Sequence, residues 1–209
     1  MDAEAIERRR RTVVSLHERG VPHRDDLPVL ATAEYAKLRS THDVVLRSLC
    51  LFAVMAKGFD YPLDWYEECL TDSELKLAFS PDENAFLADP APDQSVADNF
   101  TWRGECCLTL LWSIGLIDSL DPPTEQFDPD EFFEIFAEGW RSKAKLRTPS
   151  EIYDEHDLIY LYHWAVVGAG VGYAQCEDVL PNVVYERHYA LNWLIGYCNQ
   201  SWDDITTDT

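Results

Sequence analysis

Four stretches of the chain are apolar on nearly every side when they are drawn as helices. They cover residues 43–56, 100–117, 157–167 and 183–198, and only a few polar groups interrupt each of them. A helix that is apolar all round has to be buried, because none of its faces suits water. The sequence therefore predicts a domain built around a central core of apolar helices.

Short start and stop signals mark further helices. Ser80, Pro81 and Glu83 follow the order of an N-cap, a first helical residue and a capping-box acid. The pattern recurs from Asp128 to Glu131 and, without the proline, from Thr71 to Glu74, while Gly20 and Pro22 end the first helix. We find no sustained period-2 alternation, so the predicted fold class is all-α. The predicted helices are 3–19, 33–39, 43–57, 62–69, 72–78, 81–88, 99–117, 129–141, 150–167 and 183–198.

A length of 209 residues favours one domain over two. The Pro-rich pieces at 88–94 and 121–129 are interpreted as linkers between helices. We predict a single compact, globular, all-helical domain over residues 1–209. In it, helix 3–19 packs on or flanks the core, and residues 203–209 form a polar C-terminal tail.

Helix 183–198 raises the central question, because Glu186, Arg187 and His188 are adjacent in a helix that should be buried. Buried charges are costly unless they are paired and hydrogen-bonded. We therefore expect an inter-helix polar cluster in which arginines meet carboxylates and two histidines are adjustable members. Its expected members are Arg47, Arg103, Arg187, Glu105, Glu186, His163 and His188.

This cluster has two interpretations. It can be a network of ion pairs that holds the fold, or a pocket with perturbed pKa values. In the second case Glu105 or Glu186 is the general base, His188 or His163 is its partner, and an arginine binds an anionic substrate. The catalytic candidates are Glu105, Glu186, His188 and His163. The ligand-binding candidates are Arg47, Arg103, Arg187 and Asn192.

The formal net charge of −21 is concentrated in one part of the chain. Residues 59–138 contain twenty acidic groups and only Lys76 and Arg103 as bases. Such a field repels nucleic acid and anionic membranes, and it favours basic partners or simple solubility. The candidate partner-binding residues are Asp118, Asp121, Glu125, Asp128, Asp130, Glu131, Glu134 and Glu138.

Other functional signals are absent from the sequence. We find no signal-peptide pattern, no apolar run long enough to span a bilayer, and no phosphate-binding glycine loop. The six cysteines include no CxxC pair and are interpreted as apolar core residues of a protein in the reducing cytoplasm. No cofactor, metal site, nucleic-acid partner or membrane partner is predicted, and the sequence leaves the oligomeric state open.

Five segments that together extend from about residue 19 to residue 209 are distinctive: "RGVPHRDDLPVL", "RSLCLFAV", "WRGECCLTLLWSIGLID", "DLIYLYHWAV" and "VVYERHYALNWLIGYCNQSWDDITTDT". They resemble a bacterial family catalogued as domain of unknown function 4272. The resemblance implies a compact cytosolic domain and brings no assigned activity. The family pattern has Tyr and Ala around the acid of the Trp-Arg motif, whereas this chain has Gly104 and Cys106, so backbone packing is expected to differ there. The family motifs map to Arg47, Trp102, Arg103, Glu105, Trp112, His163, Trp164, Tyr185, Glu186, Arg187, His188, Asn192, Trp193, Trp202, Asp203 and Asp204.

Two functional hypotheses follow. The first is a binding protein that neutralises or chaperones a basic partner, as an immunity protein does with a toxin, through the acidic residues of 118–138. The second is an enzyme or small-ligand-binding domain that uses the buried cluster, and it requires an open cleft beside the cluster. No catalytic motif decides whether the protein is an enzyme.

Overall fold

The computed structural model describes residues 3–24, 26–32, 34, 36–62, 73–136, 139–172 and 176–209. Within these ranges the regular structure is helical and no strand occurs, so the predicted all-α class is confirmed. Short 3₁₀ turns follow at Tyr197–Asn199 and Trp202–Asp204. The helices are α1 (Ala3–Glu18), α2 (Thr41–Gly58), α3 (Ser73–Ala78), α4 (Pro81–Ala88), α5 (Gln94–Thr101), α6 (Arg103–Ser113), α7 (Glu131–Ile135), α8 (Trp140–Lys143), α9 (Pro149–Gly170) and α10 (Pro181–Leu194).

The four apolar stretches form the centre of the fold. Helix α6 packs against both α2 and α10, and α10 packs in turn against α9. Residues 48–56 of α2 are buried without a break, as are residues 104–107 of α6 and 186–194 of α10. This packing is the burial that an all-round apolar surface requires.

Helix α1 packs on the outside of α9. Its inner face carries two arginines, and Arg9 forms a bidentate ion pair with the buried carboxylate of Asp157. Arg8 donates to Asp154 and to the carbonyl oxygen of Ala31 at 2.7 Å. The basic run at 8–11 therefore contributes two of its four side chains to the interior.

The predicted caps of two helices are confirmed. Ser80 caps α4 through a capping box with Glu83, and Pro81 is the first helical residue. At the end of α1, Gly20 has a positive φ of 69°, and Val21 donates to the carbonyl of Leu16, which closes the last turn. The capping box predicted at Thr71 and the helix predicted at 62–69 fall on residues outside the described ranges.

The helix predicted at 33–39 is wrong in its described part, because residues 36–39 have no regular secondary structure. The backbone N–H groups of Lys37 and Arg39 donate to the carbonyls of Ile195 and Leu194, at 2.8 and 3.0 Å. The segment thus satisfies carbonyls that the end of α10 leaves free, and this long-range pairing outweighs its local helical preference. Position 196 requires glycine, because a Cβ atom there would lie only 2.8 Å from the carbonyl oxygen of Lys37.

Three other boundaries differ from the prediction. The helix predicted at 99–117 is divided at Trp102 into α5 and α6, and it ends at Ser113 because Gly115 adopts a positive φ of 72°. The helix predicted at 129–141 begins only at Glu131, and Gly139, with a φ of 81°, separates α7 from α8. The helix predicted at 183–198 is α10, which starts at Pro181 and ends at Leu194.

The C-terminal tail is docked on the core. Trp202 and Ile205 are buried, and the side-chain amide of Asn192 donates to the carbonyl oxygen of Thr206 at 2.7 Å. The tail therefore lies against α10 at Asn192. Among the described helices, none has both the length and the apolar character needed to cross a bilayer.

Candidate functional site

The buried charges between α6 and α10 form two reciprocal ion pairs. Arg103 on α6 donates to Glu186 on α10 at 2.9 Å, and Arg187 on α10 donates through Nε to Glu105 on α6 at 3.1 Å. Each helix thus contributes one acid and one base. The exposed fraction of the Glu105 and Glu186 residues is 0% and 7%. Four of the seven expected cluster members therefore meet as predicted.

The Arg103–Glu186 pair has a third member that the sequence did not indicate. The Cys106 thiol donates to the Glu186 carboxylate at 2.9 Å and to the carbonyl oxygen of the same residue at 3.1 Å. Burial raises the pKa of Cys106 well above its ordinary value, and the neighbouring Glu186 acts in the same direction. Cys106 is therefore a neutral hydrogen-bond donor in this cluster, and Arg103 also stacks over the Tyr189 ring at 4.6 Å.

The Glu105–Arg187 pair connects the core to the acidic part of the chain. The backbone N–H of Phe127 donates to Glu105 Oε1 at 2.8 Å, and Arg187 Nη1 donates to the carbonyl oxygen of Asp121 at 2.6 Å. Burial raises the pKa of Glu105, while Arg187 opposes that shift. These contacts fix the 121–127 loop to α6 and α10.

Three histidines form a second cluster between α9 and α10. The Nδ1 atoms of His163 and His188 lie 2.8 Å apart, and His156 Nε2 lies 2.7 Å from the Oδ1 atom of Asn192. Burial lowers the pKa of all three histidines, that of His163 to about 4. All three imidazoles are therefore neutral at physiological pH. His188 Nε2 is buried and has no hydrogen-bond partner in the described part of the chain.

Arg47 lies outside both clusters, so its predicted pairing with Glu105 or Glu186 is wrong. Its Nη1 atom donates to both carboxylate oxygens of Glu83 on α4, at 2.8 and 2.6 Å. Its guanidinium also lies over the Trp202 ring at 4.8 Å. Glu83 already serves the Ser80 capping box, which is why its second role was missed from sequence. In the sequence, Glu83 is recognisable only as the capping-box acid at the third position of a short helix.

The candidate partner-binding carboxylates are placed on the surface. Seven of them are exposed, and no residue in the described ranges forms an ion pair with them. Asp130 accepts a hydrogen bond from Tyr61 at 2.8 Å, and Asp128 accepts one from the backbone of Asp130. Glu138 lies outside the described residues. We call these seven residues the acidic surface: Asp118, Asp121, Glu125, Asp128, Asp130, Glu131 and Glu134.

A cavity of about 540 Å³ opens within this surface. Carboxylates of the acidic surface surround it, and Arg187 contributes to its wall. We call it the acidic cavity. Its apolar wall includes Leu108, Ile117 and Phe127. Of the two ion pairs, it is the Glu105–Arg187 pair that reaches this cavity.

Two further groups were missed by the sequence analysis. His156 was not among the candidates, and it bonds to Asn192. Glu155 on α9 is half-buried beside a cavity of about 300 Å³, and burial raises the pKa of its carboxyl to about 7. Within the described ranges its side chain makes no hydrogen bond or ion pair. The residue is one of several acids in α9, and nothing in that local pattern singles it out.

No group of three or more His, Cys, Asp or Glu side chains in the described residues is arranged to hold a metal ion. The fold and the site together define an all-α domain whose core helices are joined by reciprocal ion pairs. The chain belongs to the family "Domain of unknown function (DUF4272)", whose sequence model matches residues 8–205. No curated protein and no solved structure matches the chain.

Proposed function

We propose that this protein binds a basic protein partner through the acidic surface. The observation that carries the proposal is that seven exposed carboxylates between residues 118 and 134 have no ion-pair partner among the described residues. Unneutralised charges of one sign attract a partner of the opposite sign and speed its association. Neutralising or chaperoning a basic protein, as an immunity protein does, is a role consistent with this surface.

The way in which the acidic surface is held also supports binding. Arg187 and Glu105 fix the 121–127 loop through the carbonyl of Asp121 and the N–H of Phe127. A surface fixed before association loses less conformational freedom on binding than a flexible one. The buried pair and the exposed carboxylates therefore have complementary roles, the first holding the second in place.

The second hypothesis requires an open cleft beside the buried cluster, and the acidic cavity provides one at Arg187. Its catalytic version nevertheless has less support. Glu105, Glu186 and His188 are between 0% and 7% exposed, and each carboxylate already accepts hydrogen bonds from its own neighbours. A general base has to come within hydrogen-bond reach of a substrate proton. The burial of these groups favours a structural role, so we propose that they are not catalytic.

We further propose that the protein acts in the cytoplasm of a bacterium. Four described cysteines, Cys106, Cys107, Cys176 and the exposed Cys198, are free thiols. Free thiols are typical of a reducing compartment. This part of the proposal is tested by localising the tagged protein in its host cell.

The binding proposal is tested with a lysine-rich synthetic peptide and two variants that have the same formal net charge. The surface variant combines Asp118→Asn, Asp128→Asn, Glu131→Gln and Glu134→Gln. The matched control neutralises four exposed acids on or next to α1, α4 and α5. It combines Glu7→Gln, Glu18→Gln, Asp82→Asn and Asp93→Asn.

Calorimetric titration at low ionic strength should show that the surface variant loses about tenfold or more in affinity, which corresponds to ~1.4 kcal/mol. The control should lose much less, because its charges lie outside the proposed contact. Raising the salt concentration should weaken wild-type binding strongly. Equal losses in the two variants, or affinity that does not respond to salt, would contradict the proposal.

A further inference from the structure

The acidic cavity contains one positive group among its negative ones. Asp121, Glu125, Asp128 and Glu131 line it together with Arg187. The four carboxylates are exposed, whereas only 4% of the Arg187 side chain is accessible. The cavity therefore has a negative rim and a recessed guanidinium.

One nitrogen of that guanidinium is unused. Nε donates to Glu105 and Nη1 donates to the carbonyl of Asp121. Nη2 has no hydrogen-bond partner among the described residues. It is also absent from the fully buried polar atoms that lack a partner, so it retains some accessibility. Arg187 is one of the residues that line the cavity, so Nη2 is the guanidinium nitrogen that remains available to an occupant.

The groups that line the acidic cavity determine which chemical groups a ligand needs in order to bind there. A free guanidinium N–H calls for an acceptor, and a carboxylate makes the strongest such hydrogen bond. The carboxylates of the rim call for positive charge a short distance away. Leu108, Ile117 and Phe127 line the same cavity and provide apolar surface for an aliphatic chain.

We infer that the acidic cavity binds the C-terminal carboxylate of a basic polypeptide, with Arg187 Nη2 as donor and the rim carboxylates holding the adjacent lysine or arginine side chains. This inference rests on the proposed function, since it specifies which part of the basic partner is recognised. The peptide's own backbone fills the space between the two kinds of charge.

Two N-acetylated peptides that end in Lys-Lys separate this inference from general electrostatic attraction. One has a free C-terminal carboxylate and the other a C-terminal amide. The amide carries the higher positive charge, so attraction to an acidic surface alone makes it the tighter ligand. Recognition of the carboxylate predicts the reverse order, with the acid tighter by about tenfold, as one charge-assisted hydrogen bond would give.

Every outcome of this comparison is decisive. An acid that binds more tightly supports the inference. An amide that binds equally or more tightly overturns it, and leaves the proposed function standing if the surface variant still weakens both peptides. If neither peptide binds at low ionic strength, both the inference and the proposed function are wrong.

Two variants locate the effect. Arg187→Gln combined with Glu105→Gln replaces the buried ion pair by two neutral amides and should abolish the preference for the acid. Glu125→Gln combined with Glu131→Gln should weaken both peptides while leaving that preference unchanged. Circular dichroism checks that each variant is folded. If the variant Arg187→Gln/Glu105→Gln unfolds, the comparison of the two peptides on the wild-type protein still decides the question.

Discussion

His163 and His188 face each other through their Nδ1 atoms at 2.8 Å, so one of the two must donate a proton and the other must accept it. The pair can form only while at least one imidazole is neutral. The rings of His156, Tyr160 and Tyr185 surround it, and Asn192 holds His156. Asp157 acts on this group through His156, but burial still lowers the pKa of all three histidines, so the pair makes the fold sensitive to acid.

We expect the stabilising contribution of the His163–His188 pair to decrease as the pH falls. The pKa of His163 is about 4 in the folded state against 6.5 for an ordinary histidine, so the unfolded chain binds more protons between these values. The stability that the neutral pair contributes is therefore complete above pH 6.5 and is lost as the pH falls towards 4. For His163 the loss is about 1.4 kcal/mol per pH unit within this window.

Urea unfolding between about pH 7.5 and pH 4.5 measures this effect. The double variant His163→Leu/His188→Leu should show a flatter decline than the wild type. His17→Leu is the matched control, since His17 lies exposed on α1, and the decline of this variant should stay steeper than that of the double variant. A double variant whose decline is as steep as that of the wild type would show that other groups control acid unfolding.

Glu155 should have the opposite dependence on pH. Burial raises its pKa to about 7 in the folded state, above the 4.5 of an ordinary glutamate. Its contribution to stability is present below pH 4.5 and is lost as the pH rises through 7, because the folded state must then bury a charge. Glu155→Gln should therefore stabilise the protein more at about pH 8 than at about pH 5.

Glu151 on the same helix is the control for Glu155. Its hydrogen bond with Thr148 lowers its pKa, so Glu151→Gln should not stabilise the protein at high pH. Unfolding curves of both variants at the two pH values provide the comparison. A Glu155→Gln variant that is less stable than wild type at about pH 8 would mean that the carboxylate makes a favourable interaction.

Gly104 should be intolerant of any side chain. A Cβ atom there would lie 2.0 Å from Cζ of Phe127, so the Phe127 ring packs directly on the glycine backbone. Gly104→Ala should destabilise the protein by about 1–3 kcal/mol, the usual effect of overpacking a core. It should also weaken peptide binding, because Phe127 anchors the 121–127 loop to Glu105.

Gly170 provides the matched control, since it is also helical and a Cβ there would have no neighbour within 4 Å. Gly170→Ala should be neutral or slightly stabilising in the same urea experiment. If both substitutions had the same effect on the free energy of unfolding, the contact between Gly104 and Phe127 would be without importance.

The all-α class and the central helices were predictable because their signals are local. Apolar periodicity, the Ser80–Glu83 capping box and the Gly20 stop depend on residues within a few positions of one another. The partners of the buried charges are different, because Arg47 and Glu83 are 36 residues apart and Arg103 and Glu186 are 83 apart. Sequence indicated that the charges must pair, and only the packing of the helices decided which pairs form.

The non-helical segment at 36–39 and the cavity at Arg187 show the same limit. Lys37 and Arg39 are held by carbonyls at the end of α10, more than 150 residues away, and local propensity carries no information about that contact. The acidic composition of residues 118–138 was evident from sequence. That a buried guanidinium leaves one nitrogen free among those acids depends on how α10 meets the 121–127 loop.

The central claim is that the buried ion pairs hold the fold while the exposed carboxylates bind the partner. A double-mutant cycle in urea on Glu105→Gln and Arg187→Gln tests its first half most directly. We predict that each single variant loses about 3–5 kcal/mol of unfolding free energy, because it leaves a buried partner unpaired, and that the double variant loses far less than the sum. Single variants as stable as the wild type would contradict the account, because the pair would then be dispensable to the fold.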